Sequence, residues 1–66
     1  MSKKSVGLLI KSKMVLLEKT QEDLAKDLNI SRASVNNKLN GTRPFTVDEI
    51  KILSEKLGIP FREFFQ

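Results

Sequence analysis

The chain has 66 residues, a net charge of +4, and neither cysteine nor histidine. Disulfide bonds and thiolate metal sites are therefore excluded, and the residue that most often serves as general base or metal ligand is missing. No glycine-rich phosphate loop and no convergent pair of acids is recognisable. We therefore expect that the chain is not an enzyme and that it binds no metal and no cofactor. No small-molecule ligand is evident. A chain this short lies near the lower size limit for independent folding, and dimerisation is one way to extend its core.

No apolar run is long enough to span a bilayer, and residues 1–4 lack the apolar stretch of a signal peptide. We therefore expect a cytoplasmic protein with no membrane partner. The acids are unevenly placed, because none precedes Glu18 and none lies between Asp27 and Asp48. A polyanion can approach residues 28–47 without meeting a carboxylate from that stretch of sequence.

Helical spacing of apolar residues recurs along the chain, whereas no stretch alternates with the period of a strand. A first helix is predicted at residues 3–17. Its apolar face comprises Val6, Ile10, Met14 and Leu17, flanked by Leu9 and Leu16. A second helix is predicted at residues 20–27, because Thr20 is a candidate N-cap and Asp23 completes a pair that resembles a capping box.

A turn of about three residues follows the second helix. Asn29 tolerates the left-handed backbone conformation that ends helices, and Ser31 can cap the next helix. A third helix is therefore predicted at residues 31–39. The dipeptide Asn40-Gly41 is a strong stop signal.

Two more helices complete the chain. A fourth is predicted at residues 46–56, because Thr46 and Glu49 form the T-x-x-E capping pattern and Gly58 ends the periodic stretch. Its inward stripe comprises Val47, Ile50, Leu53 and Leu57. A short fifth helix is predicted at residues 60–65, with a proline in its first turn. The sequence thus predicts one compact all-α domain of five helices over residues 1–66.

Residues 20–40 have the features of a helix-turn-helix. Ala25 is small, as required where two helices cross closely, and Ile30 is placed to fill the gap beneath the turn. Val35 is placed to pack the second helix of the pair onto the first. Such a geometry projects the second helix outward, where it can enter a DNA major groove.

Several short motifs accompany this pair of helices: T-Q-E-D-L-A, N-I-S, S-V, N-G and L-G-I. In type and spacing they resemble the lambda-repressor/Cro class of helix-turn-helix regulators, also called the Xre family, over residues 6–65. The resemblance implies a five-helix lambda-repressor-like fold and sequence-specific binding of double-stranded DNA. It further implies a phage-type transcriptional repressor that acts on the nucleoid as a homodimer at a pseudo-palindromic operator.

The sequence departs from the family pattern at three positions. Asn29 replaces the usual turn glycine, and Lys19 stands where the family often has an apolar residue. Lys38 also occupies a position that is usually apolar, and we expect the adjacent Leu39 to supply the packing there.

Exposed positions of the third helix are predicted to contact bases: Arg32, Ala33, Asn36 and Asn37. Arginine can bind guanine, and asparagine adenine, through two hydrogen bonds, while a small alanine permits contact with a thymine methyl group. The matching family positions read bases. The alternative is a polar face that is merely solvated, but two adjacent asparagines are poor helix formers and do not suit that role.

Phosphate contacts are predicted for Gln21, Ser31, Lys38, Asn40, Thr42 and Arg43. The resemblance implies that Gln21 binds a phosphate and braces the recognition helix, and that the loop after that helix contacts phosphates. Ser31 is expected to be a cap first and a phosphate ligand second. Lys38 is equally compatible with solvent exposure.

The three phenylalanines near the end of the sequence have different expected roles. Phe64 matches a buried position of the family, as does Ile59, whereas Phe61 and Phe65 are predicted dimer contacts. Alternatively, all three phenylalanines belong to the intramolecular core. An alternative function is an antitoxin or protein-interaction module on the same fold. A change at Asn37 should abolish sequence preference only if the protein reads DNA.

Overall fold

The structure is a computed structural model that describes residues 3–65, with side chains from residue 6 onward. Its helices are α1 (Lys3–Leu17), α2 (Gln21–Leu28), α3 (Arg32–Leu39) and α4 (Val47–Leu57), followed by a 3₁₀ helix at Phe61–Phe65. No strand occurs in this part of the chain. The all-α prediction is confirmed, and each element begins within one residue of its predicted start.

Three of the helices, α2, α3 and α4, are capped by the side chain of the residue just before them. The capping residues are Thr20, Ser31 and Thr46. Each accepts a hydrogen bond at 3.1 Å from the backbone N–H three residues later. In α2 and α4 the third helical residue is an acid that accepts from the cap's own N–H, at 3.0 and 2.8 Å. These reciprocal capping boxes explain why the helix starts could be predicted from local sequence.

The last element corrects the predicted count of five α-helices. Residues 61–65 form a 3₁₀ helix, in which the N–H of Glu63 donates to the carbonyl of Pro60 at 2.9 Å. A five-residue segment has room for few hydrogen bonds of α-helical spacing, so the tighter turn is favoured.

The core is aliphatic apart from one phenylalanine. Its buried side chains are Ile10, Met14, Leu24, Leu28, Val35, Leu39, Ile50, Leu53, Leu57, Ile59 and Phe64. The predicted apolar face of α1 holds over its middle, but Leu16 and Leu17 are exposed at 73% and 49%. The prediction was wrong for the last turn of α1, because none of the described elements covers those two side chains.

Helix α1 approaches the end of α3 closely at Gly7. A methyl group built on Gly7 overlaps the backbone carbonyl of Leu39. Only glycine leaves room for this approach, and the backbone atom that it meets cannot rotate away. Gly7 therefore sets the distance between α1 and the end of α3, a role that the sequence analysis did not detect.

We predict that Gly7→Ala destabilises the domain by about 1–3 kcal/mol, because overpacking against the backbone outweighs the gain in helix propensity. Chemical denaturation followed by circular dichroism measures the change. Ser12→Ala, at an exposed position of the same helix, is the control and should be neutral or slightly stabilising. Equal stability of the two variants would contradict the proposed steric limit.

Candidate nucleic-acid interface

The turn between α2 and α3 depends on a left-handed residue. Asn29 has φ 56° and ψ 45°, the conformation predicted for it. The N–H groups of Asn29 and Ile30 donate to the carbonyls of Lys26 and Ala25, at 3.3 and 3.0 Å. These bonds close α2 and turn the chain, so that α3 packs against α2 through the buried side chain of Val35.

The predicted base-contact residues share the outer face of α3. Arg32, Ala33 and Asn36 are exposed, and Asn37 is half-buried. Val35 and Leu39 face the core on the other side. The helix therefore exposes the guanidinium group of Arg32 and the amide of Asn36 fully and the amide of Asn37 in part, and these groups are suited to base edges in a major groove.

Gln21, the first residue of α2, contacts this face directly. Its Nε2 donates to Oδ1 of Asn36 at 3.4 Å, a long hydrogen bond. The Asn36 carbonyl oxygen keeps a second lone pair, and its amide group keeps two N–H donors. Gln21 thus braces a side chain of α3 without consuming its capacity to bind an adenine.

The loop after α3 is tied back to that helix. The N–H groups of Thr42 and Arg43 both donate to the carbonyl of Asn37, at 2.9 and 3.3 Å. The side chain of Asn40 accepts from Nζ of Lys11 at 3.3 Å. Asn40, Thr42 and Arg43 are all exposed, in the loop that follows α3. The contact between Lys11 and Asn40 was not predicted, because nothing in the local pattern of Lys11 distinguishes it from a solvated lysine.

Lys38 is not where a phosphate contact requires it to be. Its side chain is buried, and Nζ lies 2.6 Å from both carboxylate oxygens of Glu49. An ammonium group held in this way is directed into the protein, so we withdraw Lys38 from the predicted phosphate contacts. The lysine at a usually apolar position was the signal for a buried partner. The local sequence predicts Glu49 only as the acid of the capping box that begins α4.

Two opposing effects act on the carboxyl group of Glu49. Burial raises its pKa, whereas hydrogen bonds from Lys38 and from the N–H of Thr46 lower it, and the net result is a pKa below the ordinary 4.5. The carboxylate is therefore ionised at neutral pH. Because it is paired with Lys38, it adds little negative field to the acid-free stretch of residues 28–47.

The end of the described chain carries an exposed aromatic ring. Phe64 and Ile59 are buried, as predicted, whereas Phe65 is 61% exposed. Phe61 is half-buried against the core and lies edge-on to Phe65, with ring centroids 5.1 Å apart. Among the described residues, no cluster of ligating side chains could hold a metal ion, and no helix is long and apolar enough to cross a membrane.

Comparison with models of known protein families finds a match. The sequence model of a family described as helix-turn-helix matches residues 10–64, which is most of the chain and includes α2, the turn and α3. No curated protein and no solved structure matches significantly.

The buried pair predicts a defined pH dependence. We expect Glu49→Gln to lower the free energy of unfolding by about 2 kcal/mol at neutral pH, because Lys38 loses its charged partner. The folded-state pKa of Glu49 is depressed, so its contribution is present above the ordinary value of 4.5 and is lost as the pH falls below it. The stability difference should therefore shrink towards zero in acid.

Urea denaturation of both proteins over a pH series measures this difference. Glu55→Gln, at an exposed position of α4, is the matched control and should stay within about 0.5 kcal/mol of the parent throughout. A difference for Glu49→Gln that does not change with pH would contradict the ionic role.

Proposed function

Because this chain belongs to the Xre/lambda-repressor-type helix-turn-helix family of DNA-binding transcription regulators, we propose that it binds a specific double-stranded operator as a homodimer and represses transcription. The observation that supports this most is the outer face of α3. There Arg32, Asn36 and Asn37 are displayed within a stretch of sequence that contains no acid. In this proposal the protein is a phage-type repressor that works in the cytoplasm, on the nucleoid.

Base readout is assigned to α3. Arg32 is suited to a guanine, Asn36 and Asn37 to adenines, and Ala33 to the methyl group of a thymine. Asn37 is the innermost of these, and its carbonyl already anchors the following loop. If the Asn37 side chain contacts a base, the same residue therefore links that base contact to the loop that is assigned the phosphate contacts.

Phosphate contacts are assigned to residues on both sides of α3, namely Gln21, Ser31, Asn40, Thr42 and Arg43. Such contacts fix the orientation of the protein on the duplex and carry no sequence information directly. Neutralising phosphates releases condensed counterions, so the affinity should fall steeply as salt is raised.

The proposed dimer places two copies of α3 in successive major grooves, about 34 Å apart. Phe65, with Phe61 beside it, provides an exposed apolar surface from which a two-fold contact can form. Occupancy of a promoter by this dimer then excludes the polymerase.

Selection of bound duplexes from a random DNA pool, at near-physiological salt, tests the function. We expect a palindromic site to be enriched, and Asn37→Ala to lose about 1–3 kcal/mol of discrimination at one position of each half-site. Lys56→Ala, at an exposed position of α4, is the control and should select the same site. Sequence-blind, salt-sensitive binding by the parent protein would contradict specific readout by α3.

The dimer contact is tested by Phe65→Ala. Loss of an exposed ring should leave the fold intact but weaken the dimer about tenfold or more, because aromatic anchors dominate interface energies. Sedimentation equilibrium measures the dimer, and a single half-site duplex checks that monomer binding persists. Val47 was predicted to face inward, but it is 57% exposed at the start of α4, so Val47→Ala is the matched control. Equal dimerisation of the two variants would count against a contact at Phe65.

A second candidate function is a protein-interaction module, such as an antitoxin, on the same fold. It is favoured by three apolar side chains of α1 that are 63–79% exposed, Leu8, Val15 and Leu16. If this function were the main one, the DNA selection would yield no site and Asn37→Ala would have no effect. Leu16→Ser would then reduce binding to the partner protein.

A further inference from the structure

The buried ion pair between Lys38 and Glu49 is not explained by stability. Both side chains are about 10% exposed, and charges buried to that extent lose most of their hydration. Replacing such a pair by well-packed hydrophobic residues of similar volume is often neutral or even stabilising. An aliphatic residue at position 38 would fill the same space between α3 and α4. The pair supplies one defined geometry instead, because the ammonium group is satisfied only where both carboxylate oxygens can be reached.

The same carboxylate also holds the far end of the loop. Oε1 of Glu49 accepts from Nζ of Lys38 at 2.6 Å and from the N–H of Thr46 at 2.8 Å. The near end of the loop is held by the carbonyl of Asn37, which accepts from Thr42 and Arg43. Residues 40–46 are therefore fastened to α3 at one end directly and at the other through Glu49 and Lys38.

We propose that Lys38 and Glu49 are positioning residues for DNA binding, which fix the loop at residues 40–46 relative to the recognition helix. This inference rests on the proposed function, because that loop carries the assigned phosphate contacts Asn40, Thr42 and Arg43. Phosphate contacts set the register in which base contacts are made. If the loop shifts relative to α3, the protein therefore loses both affinity for the operator and selectivity for its sequence, even when the domain remains folded.

The test is the double variant Lys38→Met/Glu49→Gln. Methionine keeps the length and apolar stem of lysine, and glutamine keeps the acceptor of the capping box, so the charges are removed and the cap is retained. We expect a thermal midpoint within about 5 °C of the parent. Affinity for the selected operator should fall about tenfold or more. The ratio of the affinity for the operator to the affinity for a scrambled duplex should also fall.

The matched control is Lys19→Met/Asp27→Asn, which removes a half-buried ion pair with an N–O distance of 2.9 Å near α2. Neither residue of that pair belongs to α3 or to the loop, so operator affinity should stay within about twofold of the parent. If Lys38→Met/Glu49→Gln is folded and binds the operator with the parent's affinity and selectivity, the positioning role is overturned.

Amide hydrogen exchange tests the positioning without DNA. In the double variant, protection of the Thr46 amide should fall about tenfold, because its acceptor at residue 49 is no longer held by Lys38, while protection within α1 and α2 is unchanged. Unchanged loop protection overturns the proposal. If the double variant loses loop protection but the parent protein selects no operator, the positioning of the loop stands and only the proposed DNA-binding function has failed. If the double variant does not fold, the exchange measurement is made on Glu49→Gln alone, at a temperature below the midpoint of its thermal unfolding.

Discussion

The left-handed conformation of Asn29 is the constraint on which the rest of the domain depends. It turns the chain so that Val35 enters the core and the polar face of α3 is left outside. Asparagine adopts this conformation at lower cost than most residues, because its short polar side chain can bond locally. Without that turn, a helix as polar as α3 would be unstable, since most helical stability comes from packing an apolar face.

Features that depend on local chemistry could be predicted from the sequence. The starts of α2, α3 and α4 follow from side chains that cap the free N–H groups, and the ends of α2 and α4 follow from Asn29 and Gly58 in left-handed conformations. The last element was harder to predict. Pro60 and three phenylalanines indicate a helical turn, but spacing alone does not distinguish a 3₁₀ turn from an α-helical one over five residues.

Features that depend on contacts between helices were not predicted. Nothing around Gly7 indicates that a side chain there would overlap the carbonyl of Leu39, and nothing around Leu17 indicates that its side chain is exposed. Lys38 was recognised as unusual, but its partner lies in another helix, eleven residues along the chain. The outer face of α3 was found because its residue types match what base edges demand, and the structure adds the bracing of Asn36 by Gln21.

The burial of Phe64 has a consequence for biosynthesis. This ring lies among the side chains of the core, yet it is one of the last residues to be translated in the described segment. A nascent chain cannot complete its core until residue 64 has left the ribosomal tunnel, so the preceding helices emerge before their packing partner exists. Folding on the ribosome is therefore delayed to the end of this segment. During that interval, the partly made domain exposes apolar surface to chaperones and proteases.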